Sequence, residues 1–135
     1  MPAYPYLHFQ GTCAEAMTFY AKVFDAPDLQ MMRYSEAPPD AGSTEGKVSS
    51  DRIMHSQFTG SGLTVMASDF PPGIGDPQKA VSVMAAVKGA KAIFDKLLPG
   101  AEVIAPFGPT FWSPGFGMLK DRFGITWVLD IAPAR

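Results

Sequence analysis

The sequence predicts an α+β fold of two tandem βαβββ modules sharing one domain of 135 residues. Three observations predict it. The order strand, helix, three strands runs twice along the chain, and stretches of similar character recur at equivalent places in each half. A run of breakers, Phe70-Pro71-Pro72-Gly73-Ile74-Gly75-Asp76-Pro77, separates the halves. The modules span about residues 1–70 and 78–135. Each is too small to bury both faces of its own sheet, so the two are expected to act as one domain over residues 1–135.

In the first module the aromatic-rich Tyr4 to Phe9 reads as a strand, broken at Gly11. Thr12-Cys13-Ala14-Glu15 has the spacing of a capping box, in which Thr12 would cap the helix that follows. Ala16, Met17, Tyr20, Val23 and Phe24 repeat on one helical face until Asp25-Ala26-Pro27 ends the pattern. Leu29 to Tyr34 reads as the second strand, and Ser35 to Asp51, with Pro38-Pro39, Gly42 and Gly46, as a long loop. Arg52 to Phe58 and Leu63 to Ser68 complete the module as a hairpin joined by Thr59-Gly60-Ser61-Gly62.

The second module repeats the plan. Ala80 to Val87 reads as a strand, and a helix after Gly89 carries Ala90, Ile93, Phe94 and Leu97 until Pro99-Gly100. Ala101 to Phe107 reads as a strand, and Pro106 to Gly115 as a loop bearing Phe111-Trp112. Phe116 to Lys120 and Ile125 to Ile131 form a closing hairpin around Asp121-Arg122-Phe123-Gly124. Val23-Phe24-Asp25-Ala26-Pro27-Asp28-Leu29 matches Leu97-Leu98-Pro99-Gly100-Ala101-Glu102-Val103 in character, and Gly62-Leu63-Thr64-Val65 matches Gly124-Ile125-Thr126-Trp127.

Composition narrows the function classes. With 47% hydrophobic and 18% charged residues the chain can bury a core without disulfides, and its single cysteine allows neither an intrachain disulfide nor a Cys-rich zinc site. A net charge of −2, with no Lys/Arg cluster, offers no field for a phosphate backbone, so no nucleic-acid partner is expected. MPAYPYLHF lacks the basic and long apolar regions of a signal peptide, and no apolar stretch is long enough to span a bilayer. A cytoplasmic protein with no membrane partner is therefore expected.

Pro5-Tyr6-Leu7-His8-Phe9, the run from Gly11 to Ala16, Phe19-Tyr20, Met66-Ala67-Ser68-Asp69, Phe111-Trp112, Gly115-Phe116-Gly117 and Asp121 to Trp127 together resemble the PhnB-like branch of the vicinal-oxygen-chelate superfamily. That superfamily includes glyoxalase I, extradiol dioxygenases and the fosfomycin and bleomycin resistance proteins. The resemblance implies the glyoxalase/bleomycin resistance/dihydroxybiphenyl dioxygenase-like fold and a homodimer. Some PhnB-like sequences are also described as 3-demethylubiquinone-9 3-methyltransferases. This chain shows no glycine-rich strand-to-helix turn of the kind that holds S-adenosylmethionine in a Rossmann fold.

Superfamily metal enzymes carry His and Glu ligands on the concave faces of the outer strands. The resemblance places those columns at Pro5, Met66, Ser82 and Val128. A shift of one position brings Tyr4 or Tyr6, Val65 or Ala67, Val81 or Val83, and Trp127 or Leu129. None of these suits a divalent site, which typically needs His or carboxylate donors, so no metal and no cofactor are expected. An unconventional site would have to draw on His55, Asp69 and Asp130.

The remaining candidates each have a structural and a functional reading. Alternation places His8 opposite Pro5, against the helix, where a structural role is expected. His55, within a strand, is either structural or a ligand-contacting acid or base. Cys13, at a helix start, is either a small buried residue or a thiol activated by the helix dipole. Asp69 either caps the turn after its strand or touches ligand. Met66 and Met84 suit cavity lining or, as the simpler reading, adaptable core packing, while Phe111, Trp112, Phe116 and Trp127 suit core or a ligand box. The reading carried forward is a metal-free, homodimeric small-molecule-binding protein whose ligand meets Met66, Phe111, Trp112, Phe116 and Val128. The alternatives are a lyase or isomerase acting through His55 or an unconventional metal, and a thiol-dependent redox protein using Cys13.

Overall fold

The computed structural model describes residues 4–36, 52–60, 62–70 and 81–131. Most of the expected long loop (37–51) and of the breaker-rich run (71–80) lies outside the described residues. The chain divides into two compact units, Met1–Asp76 and Pro77–Arg135.

In the first unit, β1 (Tyr6–Phe9) leads into α1 (Cys13–Val23), followed by β2 (Gln30–Arg33), a 3₁₀ turn (Tyr34–Glu36), β3 (Ile53–Gly60) and β4 (Leu63–Asp69). The sheet order is β1-β4-β3-β2. β1 runs parallel to β4, with Tyr6 opposite Met66 and His8 opposite Ser68, and the other pairs are antiparallel. The 3₁₀ turn occupies the start of the stretch expected to be loop, and the β3–β4 hairpin is tighter than expected, with Gly60 already paired to Leu63.

α1 lies on β3 and β4 with Cys13, Ala16, Met17, Tyr20, Ala21 and Val23 buried. Beneath it lie Leu7, Phe9, Phe58, Val65 and Ala67. Each such large apolar side chain contributes about 1.5–3 kcal/mol by leaving water. This fixes the parity of every strand. Positions 7 and 9 face the helix, so Tyr6 and His8 face away from it, reversing the expectation for His8.

Thr12 sits at the start of α1 but makes no side-chain cap, so the capping box does not form. Its place is taken from across the sheet. Gly11 turns the chain with φ +107°, a conformation glycine adopts freely, and presents its amide to Asp69.

The second unit repeats the order as β5 (Val83–Ala86), α2 (Ala90–Leu97), β6 (Glu102–Gly108), β7 (Phe116–Lys120) and β8 (Thr126–Asp130). Its sheet order is β5-β8-β7-β6, with β5 and β8 parallel. α2 packs over Val83, Ala85, Leu119, Trp127 and Leu129, all buried. Trp127 is a core residue, its indole N–H donating to Asp121 at 2.8 Å. The same carboxylate accepts the amides of Phe123 (2.8 Å) and Ile125 (3.0 Å), which closes the turn between β7 and β8.

Candidate functional site

Each sheet has one face packed by its helix and one face turned away from it. On the open face of the first sheet, the register β1-β4-β3-β2 places Tyr6, Met66, Gln57 and Gln30 in one row. His8 and Ser68 lie in the next, with His55 and Met32 paired on the neighbouring strands. Tyr6 and Met32 are exposed, whereas His8, His55, Gln57 and Met66 are half-buried. Met66 therefore lines the open face and is not core packing.

The rings on this face lean together across β4. Tyr6 and His55 have centroids 6.1 Å apart, and His55 Nε2 lies 3.5 Å from Gln57 Oε1. His8 stacks on Phe70 at 4.5 Å between centroids. Its Nδ1 is buried with no hydrogen-bond partner among the described residues. Tyr34 donates its hydroxyl to the Asp69 carbonyl at 3.3 Å, and burial, together with Tyr6 and Asp69 nearby, raises its pKa.

Asp69 points the opposite way. It is only 1% exposed, and its Oδ1 accepts the amides of Gly11 (2.8 Å) and Cys13 (3.0 Å) while Oδ2 accepts the amide of Ile53 (2.9 Å). Asp69 thus caps α1 across the fold, and the turn after Phe70, where a capping role was expected, lies outside the described residues. With its carboxylate under the helix, it does not join His55 on the open face. Asp130 belongs to the second unit. Among the described residues no three His, Cys, Asp or Glu side chains gather as a metal would require.

Cys13 is fully buried beside Ser56, 3.5 Å from its hydroxyl. Burial pushes the thiol pKa up from 9.0 to about 12, the Ser56 hydrogen bond lowers it by less, and the Asp69 charge adds the smallest effect, a further rise. Desolvation outweighs the helix dipole, which is already met by the Asp69 carboxylate, so the site does not form a ready thiolate.

On the open face of the second sheet, Met84 pairs with Val128 and Val128 with Met118, beside Phe116 opposite Asp130. Phe111 is 98% exposed and Trp112 55%, so neither is core. They nevertheless form an edge-on relay, Phe111 to Trp112 at 4.7 Å and Trp112 to Phe116 at 5.3 Å. Met84, expected to pack adaptably inside, is exposed. The loop carrying the aromatic pair is pinned by Ser113, whose hydroxyl donates to Asp130 and accepts the Gly115 amide at 3.1 Å.

The structure also tests the groups implied by resemblance. In the first sheet the paired outer positions are Tyr6 and Met66, so the column placed at Pro5 belongs one residue later. In the second sheet the pair is Met84 and Val128, and Ser82 lies just before β5. Phenol, thioether and alkyl groups do not fit a divalent cation that takes His and carboxylate donors. Nor does the β1–α1 turn fit S-adenosylmethionine, because the Gly11 and Cys13 amides that would meet a carboxylate already bind Asp69.

Sequence reasoning missed His8, Gln57 and Met32 as open-face residues and reached Tyr6 only as the one-position alternative to Pro5. Their alternation was legible, but which parity faced the helix was not.

The family model described as 3-demethylubiquinone-9 3-methyltransferase matches residues 2–129. The chain is similar to the protein YjdN of Escherichia coli K12, with 29% identity over 97% of this chain and 95% of that protein. It is also similar in structure to the protein PA1353 of Pseudomonas aeruginosa, at 31% identity, 98% coverage of both chains and a TM-score of 0.83. A protein from Bacillus cereus described as a putative 3-demethylubiquinone-9 3-methyltransferase, PhnB protein, shares the fold at 24% identity and a TM-score of 0.68, over 98% of this chain and all (100%) of that one.

Proposed function

The chain belongs to the 3-demethylubiquinone-9 3-methyltransferase (PhnB-like) family, with the vicinal-oxygen-chelate fold, and from that premise we propose that it is a small-molecule-binding protein. It works as a homodimer without a resident metal. The observation that carries this reading is the open face of the first sheet, where Tyr6, His55, Gln57 and Met66 set polar groups among apolar ones on a rigid strand scaffold. The Phe111–Trp112–Phe116 relay with Val128 offers a second apolar surface.

Dimerisation is supported by the same geometry. Each sheet has one face under a helix and another bearing exposed side chains, Tyr6 and Met32 on the first sheet and Met84 on the second, and such a face gains by pairing with a second copy. Light scattering is expected to show a dimer, and the melting temperature to rise with protein concentration. A monodisperse monomer with a concentration-independent melt rejects that part. Metal analysis after exposure to nickel, zinc, manganese and iron is expected to find no stoichiometric ion, and a tight one-to-one metal rejects the metal-free part.

A second reading, a lyase or isomerase acting through His55, is favoured by one contact, the 3.5 Å approach of His55 to Gln57 beside Tyr6. An imidazole oriented by a neighbouring amide suits proton transfer. Turnover lost in His55→Gln would choose it over simple binding.

A further inference from the structure

Among the described residues Phe111 is the most exposed large apolar side chain, and Trp112 beside it stands half in water. Apolar surface is unfavourable in water, so a chain that displays it on a fixed support marks a contact. The support here is fixed. Thr110 donates its amide to the Ser113 carbonyl at 2.9 Å, and Ser113 donates its amide to Thr110 Oγ1 at 3.1 Å. The Ser113 hydroxyl ties the base of this turn to Asp130 and accepts the Gly115 amide. Phe111 and Trp112 occupy the apex, ring edge to ring face at 4.7 Å.

Charge, backbone and size together say what the apex meets. Between Glu102 and Lys120 the chain carries no charged side chain, and the Asp130 carboxylate is held at the base of the turn. Backbone groups that enter a lipid surface must bring their partners with them, because hydrocarbon supplies none. Pro109 and Pro114 have no amide to satisfy, and the amides of Thr110, Ser113 and Gly115 are bonded within the turn. Only the Phe111 and Trp112 amides are left to water or headgroups. A stable protein interface takes about 800 Å² from each side, whereas a phenyl or an indole offers about 150–250 Å². Two projecting rings fall short of that area. In a bilayer interface they need no matching pocket, and indoles reside there by preference.

We infer that the Phe111–Trp112 turn inserts into the interface of a zwitterionic lipid surface. Spanning a bilayer takes a long apolar segment, and no helix among the described residues is long and apolar enough. A loop tip enters with two side chains, a mode that the expectation of no membrane partner does not cover. With a net charge of −2 and no cluster of Lys or Arg, attraction to anionic headgroups plays no part. The attachment is weak and reversible. A single myristoyl chain binds membranes with about 10⁴ M⁻¹, and two rings bury less apolar surface, so half-binding falls near millimolar lipid. This inference stands apart from the reading of the first sheet as the ligand face.

The test mixes the full chain with phosphatidylcholine vesicles, with and without bromine on the acyl chains, and follows tryptophan emission. Trp112 is expected to shift to the blue and to be quenched by the brominated lipid, whereas buried Trp127 does neither. Trp112→Phe, in which Trp127 alone emits, is expected to lose the shift and the quenching while still sedimenting with vesicles. Phe111→Ser, with its melting temperature unchanged, is expected to need at least about fivefold more lipid for half-binding. Molar sodium chloride is expected to leave binding of the unmodified protein in place. Absence of both shift and quenching at tens of millimolar lipid overturns the inference. So does undiminished binding by folded Phe111→Ser, or binding that requires anionic lipid or is abolished by salt. A blue shift that grows with protein concentration in the absence of lipid overturns it too, and seats a second copy on the tip.

Discussion

Asp69 Oδ1 accepts the backbone amide of Cys13 at 3.0 Å across 56 residues of chain, joining the end of β4 to the first turn of α1. A single carboxylate serves three amides, two at the helix start and one at Ile53 on the neighbouring strand. No local residue does this work, because Thr12 makes no side-chain cap.

Asp69→Asn is expected to destabilise the fold by about 2–3 kcal/mol, since an amide has one acceptor oxygen and its NH₂ would confront a backbone donor. Urea unfolding measures the loss. A change under about 0.5 kcal/mol, the ordinary range for surface substitutions, would show that these three hydrogen bonds add little.

Burial of the Cys13 thiol links stability to alkaline pH. Its pKa rises from 9.0 to about 12, so between those values the unfolded chain has released a proton that the folded chain retains. Stability should therefore be unaffected by this group below pH 9 and fall above it, by up to about 1.4 kcal/mol per pH unit. Tyr34, also raised, acts with the same sign above its ordinary value of 10.0. Denaturation of Cys13→Ala at pH 8, 9 and 10 should show a shallower decline than the unmodified protein, and parallel slopes would refute the linkage.

Gly60 lies where a side chain has no room. A Cβ there would stand 2.5 Å from the Phe24 carbonyl oxygen and 2.8 Å from Ala26 Cβ, and backbone cannot swing aside as a side-chain tip does. Gly60→Ala should cost about 1–3 kcal/mol by overpacking. Gly62→Ala is the paired comparison for strain of another kind, since a Cβ meets nothing there within 4 Å but φ is +79°. Thermal melts that rank Gly60→Ala as harmless would contradict the packing.

The two tryptophans, Trp112 and Trp127, should separate spectroscopically. Trp127 is fully buried with its N–H on Asp121, and Trp112 is 55% exposed. Trp112→Ala is expected to leave the melting temperature nearly unchanged and to shift the emission maximum to the blue. Trp127→Phe should cost at least about 1 kcal/mol, because it leaves Asp121 Oδ2 without its indole donor. If Trp112→Ala proves the more damaging of the two, its loop is part of the core.

Much of the fold was legible in the sequence because hydrophobic periodicity is a local signal. Phe116 to Lys120 emerges as a strand with the expected bounds, and Leu63 to Ser68 extends by one residue to Asp69. The helical faces of Ala16, Met17, Tyr20 and Val23, and of Ala90, Ile93, Phe94 and Leu97, are the buried faces. The candidate site was less legible. Exposure of Phe111 and Trp112 follows from a loop pinned by Ser113 and Asp130, 17 residues apart, and aromatic content alone does not distinguish such a loop from core.

What the sequence by itself determined was the repeated βαβββ order, the buried helical faces and the family, all of which rest on spacing along the chain. Tertiary structure decided the sign of the strand alternation and the partners of the polar groups. Tyr6-Leu7-His8-Phe9 alternates whichever side the helix takes, and only the packing of α1 over Leu7 and Phe9 sends His8 to the open face. Thr12 has the local spacing of a cap, yet Asp69 holds the helix start because a carboxylate from the adjacent strand reaches two amides there at once. Alternation is a property of neighbours in sequence, whereas a face and a hydrogen-bond partner are properties of neighbours in space.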